Sequence, residues 1–425
     1  MSTKNRNNGY DGFDEYEEYV EYEEYEEVAP APKKKKSGTG KSSSGKTGSS
    51  KTGTGTGKKK KKLSKKQQAA KKRNRIILFA AEIIILCVLG IVLWWVTKGT
   101  QAEKVNLDQE TLVSDEVEEK INSTVVVAED GTETTVGDLY TQIVLFGVDA
   151  RNGALSINTR TDTIIIASIN NQTHEVKLCS VFRDTYLNLS NDEYNKCNSA
   201  YAFGGPQQAI QMLNMNLDLN IRNYVTVGFK GVVETVDALG GITLDLTDAE
   251  IPHLNSYEYC IAEDLGRTND YIAISSAGSQ LVNGLQACGY CRIRYTAGDD
   301  FKRTERQRTV LTLMLEKAKG VNASTLSTIA SNSFQNVSTS FDLNDILEYA
   351  SNITQYNIVG SEGFPFADYR VCGTIGPKGS CVVPTDLTTN VSLLHEYLFG
   401  ISDYDPTDTV KTCSEKIAAD TSPYL

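Results

Sequence analysis

Between Tyr290 and Arg308 the chain reads YCRIRYTAGDDFKRTERQR, which sets Arg292, Arg294, Arg303, Arg306 and Arg308 among Asp299, Asp300 and Gln307. Arg292 and Arg294 stand two apart, the repeat of one face of a strand. Arg303 and Gln307 stand four apart, the repeat of one helix face. Guanidinium groups arriving from two elements suit an anion with several oxygens, because the planar fork binds phosphate in a bidentate manner. Read alone, the stretch fits a solvated charged surface equally well. Upstream residues tip the balance. Asp149 closes the apolar LFGVD, Arg160-Thr161-Asp162 opens a second apolar run, and Ser180-Val181-Phe182-Arg183-Asp184 ends a third. Loops at strand ends are where α/β proteins build sites. Asp149 and Asp162 at two such mouths suit a shared hard cation. Magnesium is expected, since it takes one or two carboxylates and completes its shell with substrate phosphates; manganese is the second candidate. Singly, each Asp is as well explained as a cap or turn residue, and Arg183-Asp184 as a surface ion pair.

The elements that must position these residues are visible as periodicities. TQIVLFGV, TIIIASI, EVKLCSV and NYVTVGF are short β-rich runs bounded by turn formers. Helical periods run through PQQAIQMLNMNL, FKGVVETVDAL, RTERQRTVLTLMLEKAK and DLNDILEYASNI. Apolar runs continuous within strands argue a sheet buried on both sides. The expected fold is α/β, a mixed central sheet covered by helices on both faces, over residues 140–400, with a polar stalk over 97–139 and a tail over 401–425.

The net charge of −11 is segregated into blocks. A Tyr/Glu tract over residues 10–27 and a Lys/Ser/Gly/Thr tract over 33–62 cannot bury enough apolar surface to fold, so residues 1–75 are expected to be disordered. Residues 76–96, IILFAAEIIILCVLGIVLWWV, suffice to cross a bilayer. Their basic N-terminal flank, from Lys58 to Arg75, places the tail in the cytoplasm and residues 97–425 outside, and no cleavage site argues against an uncleaved anchor. Gly40 to Thr47 fits the Walker A expression but lacks the strand and helix a P-loop needs. The basic tract is better placed on anionic lipid, and nothing recommends a specific nucleic acid. Eight of the nine cysteines lie in the external part, and Cys372 and Cys381, bracketing a turn-rich segment, are the expected disulfide. Cys288 and Cys291 form a lone C-x-x-C without the partners of a zinc site. His395, in an amphipathic helical run, reads as structural.

LFGVD, R-T-D-T, S-V-F-R-D-T-Y, K-C-N-S-A-Y-A-F-G-G, VDALGGI, LQACGYCRIR and DDFKRTERQR occur in that order. Together they resemble the LytR–CpsA–Psr family of bacterial envelope proteins, across about residues 140–400. The resemblance implies an α-β-α domain and a phosphotransferase that moves an anionic glycopolymer, such as a teichoic acid or capsule-like polymer, from an undecaprenyl-pyrophosphate carrier to peptidoglycan. It implies that Asp149 and Asp162 hold magnesium at the pyrophosphate, and that Arg160, Arg183, Lys196, Arg292, Arg294, Arg303 and Gln307 surround the phosphates. Asp300 falls at an acidic position whose role is either a base for the acceptor hydroxyl or an orienter of arginine. Arg306 and Arg308 match no such position and revert to surface or helix-packing roles. The chain departs from the family at Phe182, where Pro is usual, and at Thr161, Cys288 and Cys291. An apolar slot for the polyprenyl chain is expected between sheet and helices, with TIIIASI and YVTVGF as candidate walls. A lipid-pyrophosphate hydrolase would use the same residues. A noncatalytic envelope regulator or glycan-binding protein is the alternative of another class. A cytoplasmic partner of the tail would be an addition to any of these.

Overall fold

The computed structural model describes residues 105–150, 155, 159–294, 296 and 299–425. The expected cytoplasmic tail and membrane helix lie outside the described residues; among those described, no helix is long and apolar enough to cross a membrane. Six strands form the main sheet: β1 (Tyr140–Val148), β2 (Thr161–Asn170), β3 (Glu175–Val181), β4 (Asn223–Gly228), β5 (Val337–Thr339) and β6 (Asn357–Phe364). Their order is β5-β4-β1-β2-β3-β6. β1, β2 and β3 run as an antiparallel meander, β4 and β6 join it parallel to β1 and β3, and β5 closes antiparallel to β4. The four strands expected from sequence are therefore the central four.

Why β1 and β2 carry long apolar runs follows from what covers them. Val144, Phe146, Ile164, Ile166, Cys179 and Val181 point into the largest core, and their neighbours Leu145, Ile165, Ala167 and Leu178 point to the opposite face. The first face is covered by helices α1 (Asp115–Ser123), α2 (Asn198–Leu217), α7 (Leu387–Phe399) and α8 (Asp408–Thr421). Over the second lie α3 (Phe229–Ala238), α5 (Gly284–Arg292) and α6 (Asp299–Lys319), with α4 (Ile251–Asp264) packed behind α5. Helices α3 and α5 meet backbone to backbone: a Cβ at Gly284 would lie 2.1 Å from the Val233 carbonyl oxygen, so only glycine permits the approach.

Four expectations are corrected. The supposed stalk is part of the domain from residue 105 onward. Leu112, Val113, Val117 and Ile121 are buried in the main core, and fully burying an aliphatic side chain contributes about 1.5–3 kcal/mol. The supposed C-terminal tail is likewise folded, α8 burying Val410, Cys413 and Ile417 in the same core. Arg292 and Arg294 are not on a strand: Asn283 and Gln286 form a capping box that starts α5, Arg292 is its last residue, and Arg294 lies in the loop beyond. The hairpin bracketed by Cys372 and Cys381 exists, as Arg370–Thr374 paired with Ser380–Pro384, but the disulfide does not. Cys372 pairs with Val382 and Cys381 with Gly373, so alternation sends the two thiols to opposite faces, one exposed and one buried.

Candidate active site

The sheet delivers the site from one end. β1 and β2 are antiparallel with Val148 opposite Thr161, so Asp149 and Asp162 emerge side by side. β3 is antiparallel to β2 and ends at the same edge, which brings in Arg183; β4 is parallel to β1 and leads there into Phe229. Helices α5 and α6 approach from above with Arg292, Arg303 and Gln307.

Between the second sheet face and these helices runs a cavity of about 380 Å³. Leu145, Ile165, Val227, Val232, Val310 and Met314 are among the apolar residues that line it. Asp149, Asp162, Arg292, Arg294, Arg303 and Gln307 supply its charged and amide groups. Both stretches expected to wall a slot contribute, through Ile165 and Val227.

Asp162, Arg183, Asp184, Lys196, Arg294, Asp300 and Arg303 form one connected lattice. Arg183 Nη1 donates to Asp162 Oδ1 at 2.6 Å, and Arg294 Nη2 lies 4.0 Å from the same oxygen. Asp300 receives a fork from Arg303, with Nη1 to Oδ1 at 2.9 Å and Nη2 to Oδ2 at 3.2 Å. Arg183 Nε and Arg294 Nε stand 3.7 and 3.9 Å from the two Asp300 oxygens. Lys196 joins through Asp184, its Nζ 3.2 Å from Oδ1. Burial alone would raise the Asp162 carboxyl, but Arg183, Arg303 and Arg294 outweigh it and hold the group below the usual carboxylate range. Arg183 is raised: burial works against it, and Asp300, Asp184 and Asp162 prevail. Arg303 is the reverse case, lowered to about 10 by burial despite Asp300, with Arg183 and Arg294 adding to the lowering; it remains a cation at neutral pH.

The lattice is not saturated. The Nε–H groups of Arg183 and Arg303 and the Gln307 Oε1 are buried without a hydrogen-bond partner. Unpaired donors in a buried cationic cluster are costly, and an oxyanion would satisfy them. Among the named residues, Arg183, Lys196, Arg292, Arg294 and Arg303 face Asp149, Asp162, Asp184 and Asp300, which leaves one net positive charge.

Arg160 is exposed and off the cavity lining, although its neighbour Asp162 is on it. Arg306 and Arg308 are not surface residues: they are 2% and 7% exposed. Arg306 donates to Glu250, to the Ile293 carbonyl and to Thr296, while Arg308 reaches Ser361. The helix-packing role holds for both. Cys288 and Cys291 line the cavity. His395 is fully buried, stacked on Tyr404 with Nε2 against the Leu217 carbonyl. Sequence reasoning missed two aromatic rings that seat Arg292, whose Cζ lies 4.6 Å from the Phe229 ring centre and 5.2 Å from that of Tyr257. Nothing local in the sequence signals that contact, because the three residues come from three different helices.

The chain matches a known group of proteins. The LytR_cpsA_psr family model matches residues 99–374. The chain is 28% identical over 297 residues to biofilm regulatory protein A of Streptococcus mutans, covering 62% of this chain and 70% of that one. It is 30% identical over 185 residues to the polyisoprenyl-teichoic acid–peptidoglycan teichoic acid transferase TagU of Enterococcus faecalis, covering 43% of this chain and 54% of that protein, so it spans about half that relative's length. Among solved structures it is similar to protein gbs0355 of Streptococcus agalactiae, at 26% identity and a TM-score of 0.50, covering 65% of this chain and 92% of that one.

Proposed function

Because the chain belongs to the LytR–CpsA–Psr family, we propose that it is a phosphotransferase joining a polyprenyl-pyrophosphate-linked anionic glycopolymer to peptidoglycan. The observation that carries this reading is a cationic lattice with unpaired buried donors beside a cavity whose wall is largely apolar. A lipid diphosphate needs that combination, since its chain seeks apolar surface and its phosphates seek positive charge. The TagU relative, a polyisoprenyl-teichoic acid–peptidoglycan teichoic acid transferase by name, supports the same substrate class.

In this reading the polyprenyl chain occupies the cavity and the diphosphate lies among Arg183, Arg292, Arg294 and Arg303. An acceptor hydroxyl of peptidoglycan attacks the phosphorus that carries the polymer. The bond from that phosphorus to the bridging oxygen breaks, and polyprenyl phosphate leaves, the proton of the hydroxyl passing to that leaving phosphate or to water. Phosphoryl transfer asks for alignment and charge neutralisation more than for covalent help, which an arginine lattice supplies. Asp300 acts as an orienter: both its oxygens accept from Arg303, and Arg183 and Arg294 lie within 4 Å. Gln307, with its Oε1 unpartnered, is placed to accept from the incoming hydroxyl or a water.

The donor set also fits magnesium. Among the described residues no cluster of three or more His, Cys, Asp or Glu side chains gathers for an ion. Magnesium needs only one or two carboxylates when a phosphate completes its shell, and Asp149 and Asp162 lie on one cavity. When bound, the ion would offset diphosphate charge that the single net positive charge of the lattice leaves uncompensated. Residues 76–96 would anchor the domain outside a bacterial membrane, close to a lipid-borne donor.

The test is the purified full chain with lipid-pyrophosphate-linked polymer, peptidoglycan and magnesium. Polymer covalently joined to peptidoglycan is expected. Release of phosphorylated polymer without joining would make the protein a hydrolase, and no turnover at all would favour a noncatalytic regulator.

A further inference from the structure

Outside the cavity, two aromatic rings run beside the charged pair Arg183 and Asp300. Phe182 immediately precedes Arg183, and Phe301 immediately follows Asp300. The rings meet edge to face, with centres 4.7 Å apart and planes at 81°. Two contacts one residue apart therefore tie the loop after β3 to the start of α6. One is the ring pair, the other the Arg183–Asp300 approach at 3.7 Å.

The end of β6 and the segment after it build the seat for these rings. Phe182 N–H donates to the Phe364 carbonyl at 3.0 Å. Gly363 forms the floor: a Cβ there would lie 2.5 Å from Phe182 Cζ, so any side chain would push the ring away. Arg370 completes the cover. Its Cζ stands 4.0 Å from the Phe301 ring centre and 4.8 Å from that of Phe182, and its Nη1 donates to the Pro365 carbonyl at 2.8 Å. Among the described residues Arg370 makes no ion pair with a carboxylate, so its fixed partners are two rings and a backbone oxygen.

We propose that Arg370 is a positioning residue: held against both Phe182 and Phe301, it fixes where Arg183 and Asp300 stand, and so the geometry of the phosphate lattice. This rests on the transferase reading. A guanidinium spreads its charge and its donors widely enough to lie near two rings and still reach a carbonyl, whereas an ammonium is a compact point charge that cannot meet all three. Small misplacements of groups that align a reacting phosphate are costly in rate rather than in ground-state binding.

Two measurements on the full chain in detergent decide it. In the transfer assay, Arg370→Ala and Phe301→Leu are expected to lower kcat by about tenfold or more, with KM for the lipid donor within about twofold. Arg370→Lys should behave like the alanine variant, because a compact charge cannot meet both rings and the Pro365 carbonyl at once. Recovery of kcat by lysine, a raised KM at unchanged kcat, or no change in kcat would each overturn the proposal. Independently, the arginine ¹⁵Nε–¹Hε spectrum, with Arg183 assigned through Arg183→Lys, should show that resonance shifted or broadened in Arg370→Ala. An unchanged Arg183 signal would overturn the proposal even if the wild-type chain transferred nothing, an outcome that would end the transferase reading separately.

Discussion

Arg306 offers the sharpest test of how the helices hold the site. Its side chain is 2% exposed and its partner Glu250 is 7% exposed, with Nε donating to Oε1 at 2.9 Å. The other two guanidinium nitrogens donate to the Ile293 carbonyl at 3.1 Å and Thr296 Oγ1 at 2.6 Å, which ties α6 to the loop carrying Arg294. Arg306→Ala removes the cation beside a buried carboxylate and takes the Arg306 hydrogen bonds from Glu250 Oε1 and the Ile293 carbonyl. Breaking one side of a buried ion pair costs about 3–5 kcal/mol. The lower end is expected, because Glu250 Oε2 keeps its bonds from the Thr247 N–H and hydroxyl. Urea unfolding followed by circular dichroism at neutral pH reads the loss. The sign with pH follows from Glu250. Burial alone would raise its carboxyl, but Thr247 and Arg306 outweigh this and hold it below its usual range. The pair's contribution is therefore present above the ordinary glutamate pKa and lost as pH falls through the lower folded value. The deficit of Arg306→Ala should accordingly be full near neutrality and shrink in acid. Replacing both residues by apolar ones of similar size should recover most of it. A deficit below about 1 kcal/mol at neutral pH, or one that grows on acidification, would refute this account of the pair.

Three further outcomes are expected. Asp162→Asn should reduce transfer by about a hundredfold or more with little change in the unfolding midpoint; in the wild type the acid limb of activity should begin below the ordinary carboxylate range, because Arg183, Arg303 and Arg294 outweigh burial at Asp162. Met314→Trp, which fills part of the cavity, should raise KM for long polyprenyl donors and spare a short-chain analogue, read by comparing the two donors side by side. In native protein a thiol reagent should label Cys260 and Cys372 first. Cys179 and Cys288, buried and with thiols pushed up to about 12, should react only on unfolding, and mass spectrometry should find no Cys372–Cys381 bridge.

Much of this arrangement is legible in the chain, for reasons that differ by element. β1 and β2 stand out because burial on both faces demands long apolar runs, β3 and β4 because they are short and rich in β-branched residues, and the ends of the first three then mark Asp149, Asp162 and Arg183. The pair Arg303 and Gln307 is read correctly because helix periodicity survives in a charged sequence. Arg292 and Arg294 mislead because two-residue spacing also arises where a helix ends; the Asn283–Gln286 capping signal, nine residues upstream of Arg292, was the better guide. Composition likewise hides α1 and α8. Their acidic surfaces mask Val117 and Ile121, or Val410, Cys413 and Ile417, whose three- and four-residue spacings are the buried stripe. The rings around Arg292 and Arg370 are long-range contacts between elements, and no local pattern encodes them.

The central claim is that this cavity and its lattice receive a lipid diphosphate, and it is tested most directly by a crystal structure of residues 105–425 with a polyprenyl pyrophosphate and magnesium. The account predicts phosphate oxygens on Arg292 and Arg303, metal density at Asp149 and Asp162, and the prenyl chain along Ile165, Val227 and Met314. Phosphates touching neither Arg292 nor Arg303, or a prenyl chain outside the cavity, would contradict it.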